Sequence, residues 1–227
     1  MLREEPNPDG DTAVPDLIVD AVFGISCPTL PVDHAYALSQ AVQAALPWFA
    51  TERDAGLHAI HGAESGSGWM RPAGPGALLH LSMRTKLALR LPRHRVEDAA
   101  ALLGRTLDVA GNALRVGKLT LRPLSRAATL FSRCVMIAAC SDEAAFLIAA
   151  AGQLEALGVR PGKILCGRTT SIATPARMLQ TRSLMLADLT LEQSLLLQQH
   201  GLGVERKLGC GLFMPYRDVN APGRNSQ

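Results

Sequence analysis

Apolar and polar positions divide the chain into a regular order of elements. Residues 16–26 are dense in β-branched and apolar side chains and predict a strand, broken by Pro28 and Pro31. Asp33 suits a helix N-cap, and residues 34–46 carry Ala, Leu and Val at helical spacing until Pro47 ends the run. A short strand is expected at 57–61, then a Gly/Ser-rich loop at 62–68 and turn residues Pro72, Gly74, Pro75 and Gly76 within 71–77. Residues 79–91 alternate. Leu79, Leu81, Met83, Leu87, Leu89 and Leu91 point one way, and His80, Ser82, Arg84, Lys86 and Arg90 the other. This predicts one long strand with a buried face and a basic face. A helix follows at 95–103, stopped by Gly104. Residues 106–124 form two strands around Gly111-Asn112, with Lys118, Thr120 and Arg122 sharing a face.

The second half repeats this order. A strand is expected at 129–139, a helix from the Asp142 cap to residue 157 before Gly158, and strands at 163–165 and 183–186 around a longer loop. A helix at 191–199 and a strand at 212–216 complete it. Each half reads β-α-β-β-α-β, so the expected fold is α+β, with two ferredoxin-like units in tandem. The expected division is a mobile lead-in at 1–15, an N-terminal unit at 16–125, a C-terminal unit at 126–217 and a tail at 218–227.

Composition supports a globular chain. Of 227 residues, 48% are apolar and 19% charged. Apolar stretches such as 144–151 fall far short of the roughly 20 residues of a membrane span. Residues 1–15, acidic and Pro-rich, do not read as a secretory signal. A soluble, cytoplasmic protein with no membrane partner is expected. The net charge of +3 hides a division: residues 1–70 hold ten acids and two bases, residues 71–227 ten acids and twenty-one bases. That asymmetry points to a polyanionic partner for the later part. Five cysteines without a C-x-x-C pair suit neither a disulfide framework nor a zinc site, and His58-x-x-His61 has no third ligand at a recognisable spacing. No cofactor and no metal is expected.

The most specific stretch lies at 201–213, where Gly201, Gly203, Gly209 and Gly211 flank Arg206 and Lys207 between a helix and a strand. Glycines let backbone N–H groups approach a phosphate, and the two bases add charge. The plainer alternative is a tight turn into an edge strand. Together with the tandem ferredoxin-like order, the pattern Gly201-x-Gly203-x5-Gly209-x-Gly211-Leu212 resembles the RAMP superfamily of CRISPR proteins, and most closely the Cas6 family of guide-RNA-processing endoribonucleases. His34-x-Tyr36-x-Leu38 and Leu57-His58-x-x-x-Gly62 also look familial. Lys163-Ile-Leu-Cys-Gly-Arg168 and Arg122-Pro-Leu-Ser-Arg126 are similar to the MYXAN subtype.

The resemblance implies cutting on the 3′ side of a CRISPR repeat RNA stem-loop, without metal, by attack of a 2′-hydroxyl on the adjacent phosphate. Such chemistry needs a base, an acid and a cation. His58 is the first candidate for the acid–base role and His34 the second. His61 is a candidate assistant, although alternation places it on the opposite strand face from His58, and Tyr36 would orient the base or donate a proton. Each histidine has an alternative structural role, as Tyr36 has in packing. His80, His94 and His200 read as surface residues. RNA contacts are expected from Arg84, Lys86, Lys118, Arg122, Arg126 and the 201–211 loop, since A-form stems are read through backbone and shape. Solvated strand faces and surface ion pairs are the alternatives for these bases. A second reading is a non-catalytic RNA-binding subunit that works with other subunits of a CRISPR effector complex. A two-histidine phosphodiesterase ranks last, because only His80-Leu-Ser82 fits the H-x-Ser/Thr motif it needs twice.

Overall fold

The structure, a computed structural model, describes residues 3–4, 17–61, 72, 74, 76–138, 140 and 142–216. The expected loop at 62–68, the tail at 218–227 and most of the lead-in lie outside the described residues. In chain order the elements are β1 (Arg3–Glu4), β2 (Ile18–Ser26), β3 (Thr29–Pro31), α1 (Ala35–Ala45), α2 (Trp48–Thr51), β4 (Gly56–Leu57), β5 (Leu78–His80), β6 (Lys86–Pro92) and α3 (Val96–Ala99). Then come β7 (Thr106–Val109), β8 (Asn112–Pro123), β9 (Leu130–Val135), α4 (Glu143–Ala156), β10 (Lys163–Ala173), β11 (Met178–Ala187), α5 (Leu191–His200) and β12 (Met214–Pro215).

The first sheet runs β1-β8-β2-β6-β4, with β7 hairpinned onto β8. The second runs β10-β11-β9-β12. Apart from the added β1 and β7, each sheet has its fourth, first, third and second strands side by side, so the two halves share one topology. The fold is a tandem of ferredoxin-like units. Leu38, Val42 and Leu46 of the first helix region pack on Phe23, Leu87 and Leu89 in one core. Phe146, Ala150, Leu154 and Leu197 pack on Leu130, Leu184 and Phe213 in another. A third, smaller cluster of Met136, Ile172, Leu179, Leu208 and Cys210, with Tyr36 and Ala35 against it, joins residues from both halves.

Several elements differ from the sequence pattern. The expected 79–91 strand is two strands, because Ser82–Thr85 forms a turn closed by Thr85 N–H donating to Ser82 O at 3.0 Å. β5 pairs with β3 in a separate small sheet, and Met83, expected inward, is 96% exposed at the turn. The loop expected between 165 and 183 is instead a long hairpin, β10–β11, turning at Thr174–Arg177. Its middle is mostly polar, with Ile172 and Leu179 as buried apolar positions too sparse to mark an alternation. Asp33 does not cap α1; its carboxylate accepts from Ala173 N at 3.0 Å on the tip of that hairpin. By contrast, Asp142 caps α4 as expected, accepting from Ala145 N at 2.8 Å. The expected lead-in supplies β1, paired parallel to β8 at Arg3↔Thr120 and Glu4↔Leu121.

Candidate active site

A cleft of about 420 Å³ opens between the two units. The N-terminal unit brings His34, from the start of α1, and His61, from the segment leaving β4. The C-terminal unit brings Arg133 from β9, Arg168 from β10 and Ser183 from β11. His34 is buried, and its Nδ1 lies 2.8 Å from Pro31 O. A carbonyl only accepts, so Nδ1 carries a proton and donates it to Pro31 O, while Nε2 is buried. Neither Arg133 nor Arg168 was a site candidate by sequence, Arg168 entering only as the end of the family-like tract 163–168. Both sit where the sheet departs from regular alternation, so period-2 reading had no handle on them. Among the described residues, no three His, Cys, Asp or Glu side chains converge in a way that would hold a metal ion.

His58, the first candidate by sequence, lies behind this cleft rather than in it. It shares only a narrow gap of about 20 Å³ with His61, Arg133 and Cys134. Its ring is buried, and its Nε2 donates to Asp20 Oδ1 at 3.2 Å. Asp20 is held by Arg90, whose Nε and Nη2 donate to its two oxygens at 2.8 and 3.1 Å, and by Arg122 at 3.4 Å. Burial would raise the Asp20 pKa, but Arg90 and His58 hold it well below the ordinary carboxylate value. Burial also pushes the His58 pKa down, against the pull of Asp20. Arg90 was expected on a solvated basic face. It is 1% exposed, and its Nη1 donates to Gln198 O at 3.1 Å and Phe213 O at 2.8 Å in the C-terminal unit. The second unit covers that face of β6, which a single strand's pattern cannot reveal. Tyr36 is half-buried against the inter-unit cluster of Leu208 and Cys210 and does not line the cleft.

A model of the Cas6 Crispr family matches residues 19–218. The chain belongs to the Cas6 family. Its relatives include the CRISPR-associated endonuclease Cas6 of Myxococcus xanthus (strain DK1622), 33% identical over 208 residues, which make up 92% of this chain and 83% of that protein. Among solved structures, a RAMP protein binding different RNA substrates aligns with a TM-score of 0.60 at 12% identity, over 88% of this chain and 100% of that one. A CRISPR associated protein Cas6 aligns at 0.55 and 10% identity, over 88% and 99%. At such identities they establish the common fold alone.

The glycine-rich loop of this Cas6 chain turns its bases inward. The Arg206 guanidinium donates to the carbonyls of His200, Gln199 and Asp54. Lys207 Nζ donates to Ala55 O at 2.6 Å and to Glu52 O, and sits 4.8 Å from the centre of the Phe49 ring. Burial lowers the pKa of Arg206 to about 10 and that of Lys207 to about 8. Both side chains therefore tether the loop to residues 52–55 of the N-terminal unit, where an outward grip on phosphate was expected. The four glycines serve backbone packing. Gly201 and Gly209 have positive φ, and at Gly203 and Gly211, also at positive φ, an added Cβ would meet the carbonyl oxygens of Met136 and Leu202, each at 2.1 Å. The other expected RNA contacts lie on the N-terminal sheet and its edge. Arg84 is exposed in the Ser82–Thr85 turn, and Lys86 and Lys118 are exposed on either side of bare Gly24. Arg122 is exposed near Asp20, and Arg126 is half-buried beyond the end of β8. No helix among the described residues is long and apolar enough to cross a membrane.

Proposed function

We propose that this Cas6 chain binds a CRISPR repeat stem-loop and cuts it on the 3′ side as a metal-independent endoribonuclease. One observation carries the reading: the inter-unit cleft places two histidines of one unit opposite arginines of the other. The 33% identity to an endonuclease of the same family supports it. Lys86, Lys118 and Arg122 supply an exposed basic strip for the stem, with Arg84 beside it.

The chemistry needs no external reactant. His34, oriented by the Nδ1–H it donates to Pro31 O, takes the 2′-hydroxyl proton at Nε2, a buried atom that the bound RNA has to uncover, as the 2′-oxygen attacks the adjacent phosphorus. The bond from phosphorus to the 5′-oxygen breaks, and protonated His61 returns a proton to that oxygen. The products are a 2′,3′-cyclic phosphate and a 5′-hydroxyl. His58, held by Asp20, positions the 59–61 segment from behind, and Tyr36 packs α1 against the C-terminal unit.

The decisive experiment incubates the protein with its repeat RNA in EDTA. Cleavage at one position, leaving a cyclic phosphate, is expected. His34→Ala and His61→Ala should each slow single-turnover cleavage by roughly 100-fold or more while stem-loop binding persists. Bound but uncut RNA in EDTA would make the chain a non-catalytic RNA-binding subunit and sink the proposal.

A further inference from the structure

The strand register of the second sheet is interrupted twice at one residue. Between β10 and β11, Cys166 faces Leu184 and the next pair is Thr169 with Arg182, so Gly167 and Arg168 together oppose Ser183. Between β11 and β9, Arg182 faces Val135 and Leu184 faces Ser132, so Arg133 and Cys134 also oppose Ser183 together. Ser183 thus has two residues against it on each side. A bulge inserts a residue, re-aims a side chain and increases the local twist, and bulges concentrate next to active sites. All five residues of this double bulge line the cleft that holds His34 and His61. Gly167 lets β10 come close enough that a Cβ there would meet Ser183 Oγ at 2.3 Å. Arg168 is exposed and forms no ion pair among the described residues.

Three features converge here: two guanidiniums, a small hydroxyl donor, and an irregular stretch in the middle of the sheet, in a cleft with general acid–base groups. Guanidinium forks match the equatorial oxygens of a phosphodiester, and a cation placed there opposes the charge that grows on them as the 2′-oxygen attacks. Resting on the endoribonuclease reading, we infer that the double bulge at Ser183 is the subsite for the scissile phosphodiester. Arg133 and Arg168 bind its non-bridging oxygens and Ser183 Oγ donates to one of them. The cation required by the chemistry therefore comes from the C-terminal sheet and the acid–base pair from the N-terminal unit.

The test reads binding, so it does not depend on turnover. Two stem-loop RNAs are compared, one natural and one with a neutral methylphosphonate at the phosphate on the 3′ side of the stem. Both carry a 2′-deoxy sugar there to prevent cutting. Arg168→Ala should weaken the natural RNA about tenfold and the methylphosphonate RNA hardly at all, because the contact it removes is already gone. The slope of log Kd against log salt should fall by about 1 for the natural RNA only. Arg133→Ala should behave alike, and Arg168→Lys should recover part of the binding. If the two losses add, the subsite lies elsewhere and the inference is overturned, even where the protein cuts RNA in EDTA. If they overlap but the wild type does not cut, the subsite stands and the endoribonuclease reading fails. Among cutting proteins, Arg168→Ala should lower the single-turnover rate by about 100-fold. Thermal melts confirm that each variant is folded.

Discussion

At the scale of single residues, surroundings rather than burial sort the histidines, since His34 and His58 are both buried. His34 and His61 meet the cleft, whereas His58 is packed against a carboxylate already held by two arginines. A sequence identifies a titratable ring but not its surroundings, so the order of candidates could not be read from spacing. Alternation sets His61 on the opposite face from His58, and His61 lines the cleft while His58 does not. The lowered His58 pKa makes this testable. Its folded pKa lies below the ordinary 6.5, so folding favours the neutral ring. That contribution is complete above the unfolded pKa and is lost as pH falls through it toward the folded value, because the unfolded chain binds the proton first. Asp20, with its depressed pKa, acts in the same direction at lower pH, its contribution lost as pH falls through its folded value. Urea unfolding between pH 7.5 and 5.5 should show stability falling more steeply for wild type than for His58→Gln. Parallel curves would mean that the ring does not titrate differently on unfolding.

At the scale of elements, the sequence pattern held wherever one face met a core and the other met water. β2, α4 and α5 lie close to where their periodicity put them. It failed where both faces were occupied or neither was strongly apolar. β6 carries Arg90 into the second unit, and the β10–β11 hairpin extends well past its apolar ends. β4 is shorter than expected, adding only a bond from His58 N to Ala88 O, because the glycine-rich loop packs on residues 57–59. That loop was legible as a motif, but its role was not, since four glycines serve a phosphate or a crowded turn equally well. Gly203→Ala should distinguish these uses. The Cβ would collide with Met136 O at a positive φ, so stability should drop by at least about 1 kcal/mol in a denaturant titration without any RNA present. An unchanged midpoint would leave ligand contact as the reason for the glycine.

At the scale of the whole molecule, the charge asymmetry and the unit interface are one subject. The acidic early segment and the basic remainder meet at Asp20, Arg90 and Arg122, so part of the local charge is neutralised inside the protein, while Lys86 and Lys118 stay exposed. Arg90→Met should destabilise the protein by about 3–5 kcal/mol, because Asp20 stays buried without its main partner. Asp20→Asn combined with Arg90→Met should recover part of that loss, measured by the same unfolding curves. The partners of Arg90 lie 108 and 123 residues further along the chain, and those of Lys207 lie more than a hundred residues back. Contacts of such separation form late and slowly. During synthesis the first sheet can therefore assemble before the residues that clamp it to the second exist. The cleft gains its second wall only when the C-terminal sheet has been made and has folded back, so it is completed after the N-terminal strip that carries Lys86 and Lys118 is already in place.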